Sequence, residues 1–101
     1  MNQKRQWRLL PQECAGSYEF NGTLYVTKAL FEDLEPEEIG QIVGLIQARV
    51  AEQGGADYLQ VLEDGQRNRI FAIDQISREM KASGDYRPED NHWTLLWAWE
   101  Y

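Results

Sequence analysis

The chain has 101 residues and a formal charge of −7, with 43% hydrophobic and 12% aromatic residues. That length supports one core but not two, and that composition lies well outside the disordered class. The charge is uneven: Lys4, Arg5 and Arg8 give the first ten residues +3, so the other 91 carry −10, and a body of that sign repels nucleic acid and anionic membranes.

No stretch has the roughly 20 consecutive apolar residues a membrane helix needs, and the basic start lacks an apolar signal region, so a cytoplasmic protein is expected. Cys14 is the only cysteine and His92 the only histidine, which excludes an internal disulfide and a cysteine-rich zinc cluster. No metal or cofactor is expected.

Residues 1–12 read as a flexible basic tail, with Trp7, Leu9 and Leu10 as candidate anchors before Pro11, and residues 13–101 as a single α+β domain. In SYEFNGTLYVTK, the pair Asn21-Gly22 stands between two apolar arms. It readily takes the positive φ of a two-residue turn, which predicts a hairpin. From Pro36, Ile39, Ile42, Val43, Ile46 and Val50 recur on one helical face, predicting an amphipathic helix over 36–53 that stops at Gly54 or Gly55. Gly40 and Gly44 lie one turn apart on that helix, and the reading is that a strand or a partner helix, as in a homodimer, packs close there.

DYLQVLEDGQRNRIFAID predicts a second hairpin turning at Asp64-Gly65, after which Asp74 caps a short helix with Ile76 and Met80 inward. The polar DYRPEDNH predicts an exposed loop. In the terminal HWTLLWAWEY, Trp93, Leu95, Trp97, Trp99 and Tyr101 make one wholly apolar face at period two, which predicts a strand, and Leu96 and Ala98 on the other face predict a central place in the sheet. Each buried tryptophan contributes about 4–6 kcal/mol, so the stretch reads as core, with Trp99 or Trp93 as the candidate for a ligand-gripping role. The sum is an α+β fold: an antiparallel sheet of about five strands with one long helix on one face.

The order LYVTKALFEDL, helix, DYLQVLE, RIFAID and a closing Glu100-Tyr101 resembles the small bacterial and phage proteins grouped as domain of unknown function 960, over residues 23–101. The resemblance implies a small α+β domain from a mobile element, and names no reaction. Two stretches depart from it: the short Asp-Gly connection after DYLQVLE, and ISREMKASGDYRPEDN.

No catalytic pattern is complete. Cys14 and His92 lack a local elbow or base, Glu89, Asp90 and His92 lack helical metal-ligand spacing, and no glycine-rich phosphate loop is present. Glu32, Asp33, Glu35, Glu37 and Glu38 form an acidic run at the helix start. Such a run stabilises a helix N-terminus by about 0.3–1 kcal/mol, and it also suits a patch that docks on a basic protein surface. The expected function is therefore a non-enzymatic protein-binding module using those five residues. The alternative is a small enzyme whose cleft uses Asp74, Glu79 or Asp90.

Overall fold

The computed structural model describes residues 5–101; the expectation of a loose tail over residues 1–4 lies outside them. Five strands, β1 (Arg8–Leu9), β2 (Thr23–Val26), β3 (Leu59–Glu63), β4 (Arg69–Asp74) and β5 (His92–Trp97), form one sheet in the order β1-β3-β4-β5-β2. Helices α1 (Lys28–Asp33), α2 (Pro36–Gln53) and α3 (Arg78–Ala82) complete the α+β fold.

Helix α2 has the predicted bounds, and its ends show why. Pro36 opens it behind a Glu35 and Glu38 capping box, and Gly54 closes it at φ 67°, a left-handed conformation that costs glycine nothing. Ile42 and Ile46 are buried with Leu62, Ile70, Ala72, Trp93, Leu95 and Trp97, so one face of the sheet and one stripe of α2 make the core. The second hairpin also forms as predicted, with Leu62 opposite Ile70. Strand β5 lies inside the sheet, between β4 and β2, and its odd residues Trp93, Leu95 and Trp97 point into the core. The alternation then stops. Ala98–Glu100 is a 3-10 turn, leaving Trp99 74% and Tyr101 71% exposed.

Four expectations need correction. Residues 5–12 are not a loose tail: Trp7 is only 3% exposed, and Arg8–Leu9 pairs with β3 at Glu63 and Leu62. The first hairpin does not form either, because β2 pairs in parallel with β5, making the sheet mixed. Phe20 takes φ 48° while neither Asn21 nor Gly22 turns to positive φ. Phe20 is buried edge-on against Trp93 at 5.4 Å, and its amide donates to Asp74 Oδ2 at 3.0 Å, which draws the chain inward before the turn. Gly22 then passes so close to the Asn91 carbonyl that a Cβ would collide with it. Third, Ser77 rather than Asp74 caps α3, and Met80 is exposed while Ile76 is buried. Last, no strand packs over Gly40 and Gly44, which are exposed on the surface of α2.

Candidate functional site

The acidic run spans the junction of α1 and α2, and the structure sorts its five carboxylates into different jobs. Glu32, Asp33, Glu35 and Glu37 are exposed, whereas Glu38 is only 4% exposed. Glu38 Oε1 accepts from Trp7 Nε1 at 3.0 Å and from Arg5 Nε at 3.1 Å, and Oε2 accepts from the Glu35 amide at 2.8 Å. Burial by itself would push this carboxyl up; the Glu35 amide, the indole and the guanidinium outweigh it and hold the group below the usual carboxylate range. Glu38 therefore leaves the predicted partner-binding set, since its oxygens are engaged inside the molecule.

Asp33 is half-committed. Its Oδ2 accepts from Trp97 Nε1 at 3.1 Å, and its carbonyl accepts from Arg5 at 3.0 Å. Trp7 and Trp97 meet at 6.1 Å between ring centroids, and the Arg5 guanidinium lies 5.5 Å from one ring and 5.7 Å from the other. The Arg5 cation offsets the Glu38 charge on the inner side of the acidic junction, and the two indole N–H groups, donating to Glu38 and Asp33, tie that side to Trp7 and β5. A shallow cleft of about 310 Å³, lined by Arg5, Gln6, Glu37, Glu38 and Gln41, opens beside it.

The outer side of the junction is different. Phe31 projects from α1 at 65% exposure, next to Glu32 and Asp33, with Glu35 and Glu37 following in the chain. Helix α1 is held at its start, where Thr27 Oγ1 caps it and donates to Glu100 Oε1 at 2.8 Å while Glu100 Oε1 also accepts from the Trp97 amide at 2.8 Å, and at its end, where Asp33 accepts from the Trp97 indole. Exposed Trp99 immediately precedes that anchor. Sequence reading passed over Phe31, although its signal was there: one aromatic directly ahead of Glu-Asp.

The other predicted chemistry is dispersed. Asp74, the last residue of β4, is buried and accepts from the amides of Phe20 and Ile76; burial pushes its carboxyl up, and those amides with Lys81 and His92 only partly offset it. Glu79 accepts from Ser17 at 2.7 Å, and the hydrogen bond holds its carboxyl low. Asp90 accepts from the Arg87 amide at 2.8 Å. None of the described clefts is lined by Asp74, Glu79 or Asp90. Cys14 is exposed, and His92 stacks on Tyr25 at 4.7 Å on the helix-free face of the sheet. Among the described residues, no three His, Cys, Asp or Glu side chains gather to hold a metal, and no helix is long and apolar enough to cross a membrane.

No family model, no curated protein and no solved structure matches this chain.

Proposed function

We propose that the protein is a non-enzymatic protein-binding module whose α1–α2 junction docks on a basic surface of a partner protein. The observation that carries this reading is Phe31: a large apolar side chain, 65% exposed, bordered by the exposed carboxylates Glu32, Asp33, Glu35 and Glu37. An aromatic anchor beside charges of one sign matches the anatomy of interfaces, where a few aromatic residues carry most of the affinity and the charges govern approach. Its rigid mounting supports the same reading, since α1 is tied to the sheet through Thr27, Glu100 and Asp33. A cytoplasmic setting and a mobile-element origin accompany the proposal as expectations, the latter from the resemblance of residues 23–101.

Affinity capture from host lysate at low and moderate salt tests it, with wild type run beside Phe31→Ala and the double variant Glu32→Gln, Glu37→Gln. The expected result is a basic protein retained by wild type at low salt, weakened by salt, and lost from Phe31→Ala although that variant melts like wild type. Retention that none of the three substitutions alters would refute this docking surface.

A further inference from the structure

Three of the four described clefts are lined by charged side chains: Lys81 and Arg87 in one, Arg5, Glu37 and Glu38 in another, and Glu13, Asp57 and Arg69 in the third. The fourth differs. It measures about 180 Å³, opens on the helix-free face of the sheet, and is lined by Ile73, Gln75, His92, Thr94, Leu96 and Tyr101, with no Asp, Glu, Lys or Arg. In a chain that is 27% charged, such a lining narrows the choice of ligand.

The strand register gives this cleft two unlike ends. His92, Thr94 and Leu96 alternate with the buried Trp93, Leu95 and Trp97, so they share the face turned away from the core. Ile73 lies opposite Thr94, Phe71 opposite Leu96 and Asp74 opposite Trp93, which brings Gln75 to the His92 end. Gln75, His92 and Thr94 therefore gather at one end, Leu96 and Tyr101 at the other, and Ile73 floors the space between them. Asp74 turns its carboxylate to the amides of Phe20 and Ile76 instead of into the cleft.

Both ends are set in place before any ligand arrives. The His92 ring stacks on Tyr25 at 4.7 Å, and the Tyr101 ring stands edge-on to Phe71 at 5.6 Å. No described residue hydrogen-bonds to the side chains of Gln75, His92 or Thr94, so their donors and acceptors are open to a ligand.

Charge and size then select the occupant. An ion held here would shed water without gaining a lysine, arginine or carboxylate as its partner, a penalty that a neutral molecule of the same shape escapes. Ile73, Leu96 and the Tyr101 ring suit an aromatic ring, and the polar end suits an amide, which both donates and accepts. The volume lies below the about 300–1,000 Å³ of drug-sized sites and fits one ring with a short substituent.

We propose that this cleft binds a small, uncharged aromatic carboxamide, its ring over Ile73 and Leu96 against Tyr101 and its amide among Gln75, His92 and Thr94. This goes beyond the protein-binding reading and does not depend on it.

The test is a titration of the full chain with benzamide, followed through the NMR signals of the His92 ring, the only imidazole in the sequence. Benzoate and benzylamine, which put an anion and a cation on the same ring, are the controls. The expected result is a saturable shift with benzamide at about millimolar concentration or below, and binding of either charged analogue weaker by about tenfold or more. Gln75→Ala, at an exposed position, should melt like wild type and weaken benzamide by about two- to tenfold, the effect of one lost hydrogen bond. Leu96→Trp fills the apolar end and should abolish the shift; if that variant does not fold, Gln75→Ala decides. No saturable shift up to about ten millimolar benzamide overturns the proposal, as does benzamide binding that neither substitution alters. Benzoate or benzylamine binding as tightly as benzamide overturns it too, since the cleft would then be accepting a charge.

Discussion

Glu38 shows how one side chain can be drawn out of its apparent role. In the chain it is the last member of an acidic run; in the fold it accepts three donors at the meeting point of Trp7, Arg5 and the start of α2. A glutamine there keeps one oxygen and presents an NH₂ where a second acceptor is needed, so Glu38→Gln is expected to cost about 2 kcal/mol near neutral pH in urea unfolding. The pH dependence follows from the sign of the shift. The folded carboxyl is held below its ordinary value, so its contribution is complete above the unfolded pKa of about 4.3 and is lost as pH falls through the folded value. The gap between wild type and variant should therefore narrow as the medium is acidified toward the folded value. A gap of the same size in acid would assign the loss to packing instead of charge. Asp74 belongs to the same scale: its two amide donors make it a buried tie between β4, Phe20 and Ile76, which no spacing rule reveals.

Among the elements, α2 was the most legible, because five apolar residues at three-and-four spacing, a proline and a glycine all specify the same 18-residue helix. Its glycines teach the opposite lesson. Gly40 and Gly44 were read as sites of close packing, yet a Cβ at either would meet nothing within 4 Å. Without a partner there, Gly40→Ala and Gly44→Ala should each stabilise the chain by about 1 kcal/mol, measured by thermal or denaturant unfolding, because alanine loses less backbone entropy in a helix. If a partner helix uses the gap, the same substitutions should instead weaken its association, which sedimentation would register. The second hairpin was legible from Asp64-Gly65 and alternation. The first was not, because Asn21-Gly22 is only a local preference, and Phe20 gains more by burial against Trp93 than the turn gains by closing.

For the whole molecule, stability gathers at the closing strand. Of the residues after Leu96, Trp97 is the buried one, packed on Trp7, while Trp99 is exposed. One buried tryptophan is worth about 4–6 kcal/mol against a total of about 5–15 kcal/mol for a domain of this size. A chain ending at Leu96 should lose its cooperative thermal transition, whereas Trp99→Ala should change stability by less than about 0.5 kcal/mol. A normal melt for the truncated chain would show that β1, β3 and β4 hold the core without Trp97.

What the sequence determined by itself was whatever depends on neighbours along the chain: the α2 helix and its stop, the Asp-Gly hairpin, the alternating face of β5 and the net negative body. Of the candidate site, it marked the acidic run but missed Phe31, and it could not separate Glu38 from the exposed carboxylates. Only the tertiary structure decided that residues 8 and 9 join the sheet, that β2 runs parallel to β5, and that Arg5 and the Trp7 indole engage Glu38 on the inner side of the acidic junction. The physical reason is separation. Trp7 reaches Glu38 across 31 positions and Asp33 reaches Trp97 across 64, and contacts of that span arise from shared burial, which leaves no periodic trace in a local window.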